Sequence, residues 1–312
     1  MKLSIQKYYY KLFDNKKYIR LKQQDAIQKT VEIFEDKYRA YLYGIESKIK
    51  NNKKITFLHS GHLGDLIYAL PVIKELAKDH ECHFFIQTNK KMPLEYYKHP
   101  AGYVFIDDRM LDLFLPLMKE QKFIHKVEKY NNQEIDINFD LFRELPVNIH
   151  FNSPRWYFHI AGIQVDLTDP YLYVDPHEKI KNKIVIHRTF RHRNQFINYK
   201  FLENYKNLIF IGTKDEYEDL KQDIKNLELY DCKDYLDMAR VIKACKFFIG
   251  NQSVAYPMAE ALKVPRILEA EPSFPVVQPI GKNAFDFYYQ PHFEKWCTYF
   301  ENKYTKTKNE QD

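Results

Sequence analysis

Glycine is scarce in this chain of 312 residues, with eight in all. Each one kept therefore marks a turn or close approach that needs it. Cysteine is as sparse. Cys82, Cys232, Cys245 and Cys297 stand far apart and form no C-x-x-C pair. That argues against a zinc ribbon or a thioredoxin-type site, and it reads as reduced thiols in a cytoplasmic protein. No apolar run approaches the ~20 residues that span a bilayer. The leading MKLSIQKYYYKLF has no cleavage-like site, so no signal peptide is expected. An Asp-x-Asp metal motif is also missing, since Asp107-Asp108 and Asp136-Ile-Asn138 are poor approximations to one. Neither a metal nor a cofactor is expected. No nucleic-acid-binding motif is present either, and the basic excess is local.

Aromatic and apolar residues are plentiful. The chain is 45% apolar and carries 25 Tyr and 23 Phe, enough for two ordinary α/β domains or one large one. The net charge of +6 is concentrated at the start, where residues 1–54 hold 14 Lys/Arg against 6 Asp/Glu. Ile27, Val31, Phe34, Tyr38, Tyr41, Ile45 and Ile49 recur there at spacings of three and four, which predicts one long amphipathic helix over 21–50. Such a helix packs on the following domain, pairs with another subunit, or lies on an anionic membrane surface. Its charges otherwise form only a solvated face.

The rest is organised around Ile55 to Leu76, ITFLHSGHLGDLIYALPVIKEL. A buried strand runs into a turn with Gly61 and Gly64. A helix follows, with Leu66, Ala69, Leu70, Ile73 and Leu76 on one face. Further strands are expected at His83–Gln87 and Tyr103–Ile106, a helix at Leu111–Met118, short extended pieces at Asp136–Phe142 and Val147–Phe151, and a helix over 154–164. A charged linker spans Pro176–Asn182. A second series follows: strands at Ile184–His187, Leu208–Ile211, Phe247–Ile249 and Arg266–Leu268, and helices at Asp215–Lys225, Tyr235–Lys243, Ser253–Leu262 and Pro291–Tyr304. Alternating strands and helices in both halves predict two parallel-sheet domains. The tail from Thr305 reads as polar and unstructured.

Three stretches carry chemistry. In His59-Ser-Gly-His-Leu-Gly-Asp65 the carboxylate stands at a helix N-terminus, where it is stabilised as the anion and can serve as a base. It can equally be a helix cap. In His187-Arg-Thr-Phe-Arg-His-Arg193 three guanidiniums follow a strand and suit phosphate oxygens, or simply form a solvated basic loop. In Phe248 to Pro265 a strand ends in Gly-Asn-Gln-Ser and a helix starts at once, so its free amides can hold a phosphate. Ser253 is otherwise a plain N-cap. Glu260 is a ribose acceptor if it faces the cleft, and a surface charge if it does not.

Together and in this order the motifs resemble the GT-B fold glycosyltransferases, most of all family 9, the bacterial heptosyltransferases. Gly61, Gly64, Asp65 and Pro71 match the opening G-x-x-G-D-x(5)-P. Gly250, Asn251, Ser253, Ala259, Ala261, Leu262, Val264 and Pro265 match the late motif, and Leu167–Tyr173 resembles the stretch before the linker. The resemblance spans roughly residues 55–270. The family has Asp where Gln252 stands, Gly at Val254 and His at Pro257. Those positions face the sugar nucleotide, so the resemblance does not extend to one donor.

The resemblance implies two Rossmann-like domains facing a central cleft, an acceptor domain (55–178) and a donor domain (179–290); the basic helical extension (1–54) is not typical of the family, and a closing helix and tail (291–312) follow. It implies an inverting, metal-independent glycosyltransferase with a nucleotide-sugar donor and a glycan or lipid-linked glycan acceptor; the reduced cysteines and the basic N-terminal helix place it in the cytoplasm or peripheral to the inner membrane face. Asp65 would be the base, with His62 and Gly64 beside the acceptor. Arg188, Thr189, Arg191, Arg193, Gly212, Thr213, Glu216, Asn251, Gln252, Ser253 and Glu260 would hold the donor. The rival readings are a sugar-nucleotide epimerase or hydrolase, or a non-catalytic nucleotide- or sugar-binding protein, on the same fold.

Overall fold

The computed structural model describes residues 2–92, 102–144 and 152–309. The expected strand at Val147–Phe151 lies outside them. Helices α1 (Lys2–Phe13) and α2 (Asn15–Ile33) pair as a hairpin. A π-helical turn at Phe34–Tyr38 leads into α3 (Arg39–Asn51). The single long helix expected over 21–50 is thus two helices on either side of that turn, and its apolar stripe divides there. Ile27 and Val31 are exposed, and α2 buries no residue. Tyr38 and Ile45 are buried against the first domain, where Tyr38 Oη donates to the Glu144 carbonyl at 2.6 Å.

The first sheet follows. Its elements are β1 (Lys54–His59), α4 (Leu63–Leu76), β2 (Glu81–Ile86), α5 (Asp108–Lys119), β3 (Lys126–Lys129) and β4 (Ile137–Asn138), then a 3-10 turn at Phe139–Arg143 and α6 (Pro154–Ala161). The strands run parallel in the order β3-β2-β1-β4. The strand expected at Tyr103–Ile106 is absent. Val104 makes one antiparallel bridge with Lys91, and the segment then runs to Asp107, whose carboxylate caps α5 from Met110 N at 2.7 Å. The third strand is instead β3, a charged edge strand with little apolar signal.

The second sheet comprises β5 (Ile184–His187), β6 (Leu208–Phe210), α7 (Lys214–Asp223), β7 (Glu228–Leu229), α8 (Tyr235–Lys243), β8 (Phe247–Asn251), α9 (Ala255–Leu262), β9 (Arg266–Glu269) and β10 (Ala284–Phe287). Its order is β10-β9-β8-β5-β6-β7, again parallel throughout. Helix α10 (Gln290–Asn309) packs on β9 and β10 through buried Phe293, Cys297 and Phe300 and runs past the expected end at Tyr304. The expected two-sheet α/β architecture is therefore present.

In both sheets the strand order reverses at one point, between β1 and β4 and between β5 and β8. A crevice opens at the carboxyl ends there because the connections leave in opposite directions. The two domains meet through α4 on α9 and α5 on α8. Gly64 permits the first contact: a Cβ there would stand 3.2 Å from Pro257 Cγ.

Candidate functional site

A cavity of about 770 Å³ lies between the domains, at the carboxyl ends of both sheets. One wall is built from the turn after β1. His62, Leu63, Gly64 and Asp65 line it together with Phe105, Arg143, Trp156 and Tyr157. Gly61 lies beneath Asp65, and a Cβ there would meet Arg143 Nη2 at 2.1 Å, His59 Cε1 at 2.6 Å and Asp65 Oδ2 at 2.9 Å. Glycine is needed at this position because a carboxylate–guanidinium pair crosses directly over it.

That pair is Asp65 and Arg143, with Arg143 Nη2 3.3 Å from Asp65 Oδ2. Arg143 is aimed by Asp140 Oδ1 at 2.8 Å, and its guanidinium stacks between Phe105 and Phe142 at 4.3 and 4.2 Å from their ring centres. Asp140 stands just past β4, across the strand-order reversal from β1. It accepts from Ser60 N at 2.9 Å, from the Ser60 hydroxyl, and from Lys90 Nζ at 2.8 Å. Burial alone would raise the Asp140 carboxyl, but His59, Arg143, Lys90 and Ser60 outweigh it and hold the group well below the usual carboxylate range. Asp65 accepts no backbone hydrogen bond among the described residues, and His62 occupies the cap position of α4. The helix-cap alternative for Asp65 does not hold.

The histidines of this wall are neutral. Gly61 N donates to His59 Nδ1 at 2.9 Å, so the proton sits on Nε2, which donates to Tyr157 Oη at 2.9 Å. Burial is the main cause that pushes His59 down to about 4. Burial, followed by Arg191 and Arg143, pushes His62 down to about 3.

The opposite wall comes from the second domain. His187, Thr189, Arg191, His192, Gly212, Thr213, Glu216, Gln252, Ser253 and Pro257 line it. His187 Nδ1 donates to the Ile211 carbonyl at 2.6 Å, so Nε2 accepts from the Ser253 hydroxyl at 2.6 Å. Ser253 is thus bound sideways and does not cap α9. Val254 is the cap residue, without a side-chain bond, but Tyr256 N donates to the Ser253 carbonyl at 2.9 Å and Pro257 has no N–H, so the free amides expected at this helix start are not presented to the cavity. Thr213 and Glu216 form a reciprocal capping box on α7 at the cavity edge. Gln252 Nε2 donates to the Phe274 carbonyl at 3.0 Å.

The three arginines of the basic loop have separate fates. Arg188 is buried in a two-pronged pair with Glu269, at 2.8 Å from each oxygen, with its guanidinium over Tyr199. Arg193 pairs with Asp219 at 2.7 Å and stacks on Phe190. Arg191 pairs with no carboxylate among the described residues and lines the cavity. Burial lowers its pKa, while Asp65, Glu271 and Glu216 work against that.

Two more expected donor groups, Asn251 and Glu260, join Arg188 and Arg193 in lying off the cavity wall. Asn251 braces the basic loop through Thr189 O and Arg191 O at 3.0 and 2.9 Å. Glu260 is buried in a pair with Arg266 at 2.6 Å, so the face expected to reach the cleft points into the domain. Sequence reasoning missed Arg143, Tyr157, Trp156, the Asp231–Asp234 loop and Tyr235 at the start of α8, all on the cavity wall. None of them lies in a motif, and only the fold brings them there.

No protein-family model matches the chain, and no curated protein does. Among solved structures it is similar to a glycosyl transferase of family 9 from Veillonella parvula DSM 2008, with a TM-score of 0.49 and 13% identity over 76% of this chain and 85% of that one. It is also similar to the E. coli ADP-heptose lps heptosyltransferase II, with a TM-score of 0.48 and 12% identity over 75% and 90%.

Proposed function

We propose that this protein transfers a sugar from a nucleotide-sugar donor to a hydroxyl of a glycan or lipid-linked glycan, with inversion and without a metal ion. The observation that carries this reading is one cavity with a paired carboxylate, Asp65, on the first-domain wall, and on the other a guanidinium, Arg191, that has no carboxylate partner among the described residues. A base and an anion site facing each other across a cleft suit attack on one side of a carbon and departure of a diphosphate on the other. Of these, Asp65 lies in the opening motif that resembles family 9, and Arg191 lies in the basic loop between the two matched motifs.

Asp65 takes the proton of the acceptor hydroxyl. The acceptor oxygen bonds to the anomeric carbon as the bond to the diphosphate oxygen breaks. Arg191 receives the charge that develops on the diphosphate. Thr213 and Glu216 border the nucleoside end. Among the described residues the one cluster with metal-ligating geometry is Glu81, His83 and His125, and none of these lines the cavity. The α1–α2 hairpin would lie on an anionic membrane surface beside a lipid-linked acceptor. It is basic and exposes Tyr8, Tyr9, Leu12 and Phe13, although no helix among the described residues is long and apolar enough to cross a membrane.

The test is nucleotide release from ADP-, GDP-, UDP- and CMP-sugars by the wild type and by Asp65→Asn. The reading expects release by the wild type from one donor class, its near loss in the variant, and nucleotide binding kept in both. Full release by Asp65→Asn would remove the assigned base.

A further inference from the structure

At the end of the first sheet away from the cavity, two imidazoles and a carboxylate converge. Glu81 and His83 alternate along β2 and so share a face. His125 immediately precedes the edge strand β3, in which Lys126 is in register with His83. Its backbone is fixed, because His125 N donates to the Cys82 carbonyl at 2.9 Å. The two rings are stacked with centres 5.3 Å apart and planes 3° from parallel. His83 Nε2 lies 2.6 Å and His125 Nε2 3.5 Å from the same oxygen, Glu81 Oε1. All three ligand atoms lie within 4.8 Å of one another.

We propose that Glu81, His83 and His125 form a binding site for a divalent transition-metal ion of the zinc class, separate from the cleft. Two imidazole nitrogens and one carboxylate oxygen suit zinc, cobalt, nickel or copper, whereas magnesium and calcium prefer all-oxygen sets. Three protein ligands leave a position for water. The ligand atoms already lie within 4.8 Å of one another, so a turn of the exposed His125 ring and a parting of His83 from Glu81 bring all three to one ion. The metal takes the place of the proton shared by His83 and Glu81. His83 is the inner ligand, with its side chain 14% exposed, while His125 is outermost at 64%. Lys126, the nearest cation on β3, is turned away to Glu128 at 2.8 Å. A bound ion would tie the edge strand β3 to β2 at their amino ends.

The test is calorimetric titration of the intact protein with zinc, repeated on His125→Ala and Glu81→Gln, with magnesium as control and cobalt to read coordination by its visible absorption. His125 is exposed, so its loss should leave the fold and nucleotide binding intact. One equivalent of zinc should bind the wild type. His125→Ala should bind at least the ~10-fold more weakly that loss of even an outer-sphere partner costs. Absence of saturable zinc binding, or equal binding by wild type and His125→Ala, would overturn the site. Equal binding would place the ion on one of the other histidines.

Discussion

Arg143 Nη2 lies 3.3 Å from Asp65 Oδ2, so a guanidinium brought in from beyond β4 holds the carboxylate at the start of α4. Arg143 is in turn anchored by Asp140 and two aromatic faces. This fixes one face of Asp65 and leaves the other towards the cavity. Asp65→Asn should therefore cut turnover by the ~10²–10⁴-fold typical of a positioned base, with the melting temperature little changed. Arg143→Lys should lower kcat more than it raises the donor KM, because it disturbs the aim of the base. Unchanged kcat in Arg143→Lys would separate this arginine from the chemistry.

Gly61→Ala tests the same pair sterically. The added methyl would enter the space of Arg143 Nη2 and the buried His59 ring. Overpacking of this kind costs about 1–3 kcal/mol, and here it also displaces Asp65. Thermal unfolding and turnover should fall together, and normal values for both would show that the turn has room to spare.

Arg188 and Arg191 should separate folding from binding. Removing Arg188 leaves buried Glu269 unpaired, a loss of about 3–5 kcal/mol, which urea unfolding of Arg188→Met would reveal. Arg191→Met should leave stability unchanged or slightly higher, since burial works against its charge. It should weaken nucleotide diphosphate binding by about 10–100-fold, the loss of one charge-assisted contact. Equal affinity in wild type and Arg191→Met would remove this residue from the anion site.

Stability should fall in mild acid. Burial holds folded His59 at about 4, below the ordinary 6.5 of a histidine, so the unfolded chain takes up protons first as pH drops. The contribution is complete above pH 6.5, is lost as pH falls towards 4, and then levels off. Its size is about 3 kcal/mol at 1.36 kcal/mol per pKa unit. His62, held near 3 by burial and the two arginines, adds in the same direction over a slightly wider window. Asp140, held low by its cations, contributes stability above its unfolded value that is lost at more acid pH still. Unfolding curves measured from pH 7.5 to 4 would follow this, and His59→Gln would flatten the dependence.

The sequence showed most clearly where hydrophobic periodicity and glycine spacing coincide. β1 with α4 and β8 with α9 are legible because a buried strand runs straight into a helix that stays apolar on one face. β3, β7 and β10 were missed because they are short or charged, and only pairing with a neighbour makes them strands. Tyr103–Ile106 had strand composition but found no extended partner beyond Lys91. The N-terminal stripe had helical spacing along its whole length, yet spacing does not say where contact begins, and burial starts only at Tyr38. Within the site, Asp65 lay in a motif, and it stands on the cavity wall. Arg188 was misjudged because Glu269, its partner, lies 81 residues away, and Arg143 went unseen because no local pattern surrounds it.

The most direct measurement is a thermal-shift series with ADP, GDP, UDP and CMP and their sugar forms, in EDTA, on the wild type and Arg191→Met. A rise in melting temperature with one nucleotide in the wild type, reduced in Arg191→Met, is the predicted result. No rise with any of them would contradict a nucleotide-sugar site in this cleft.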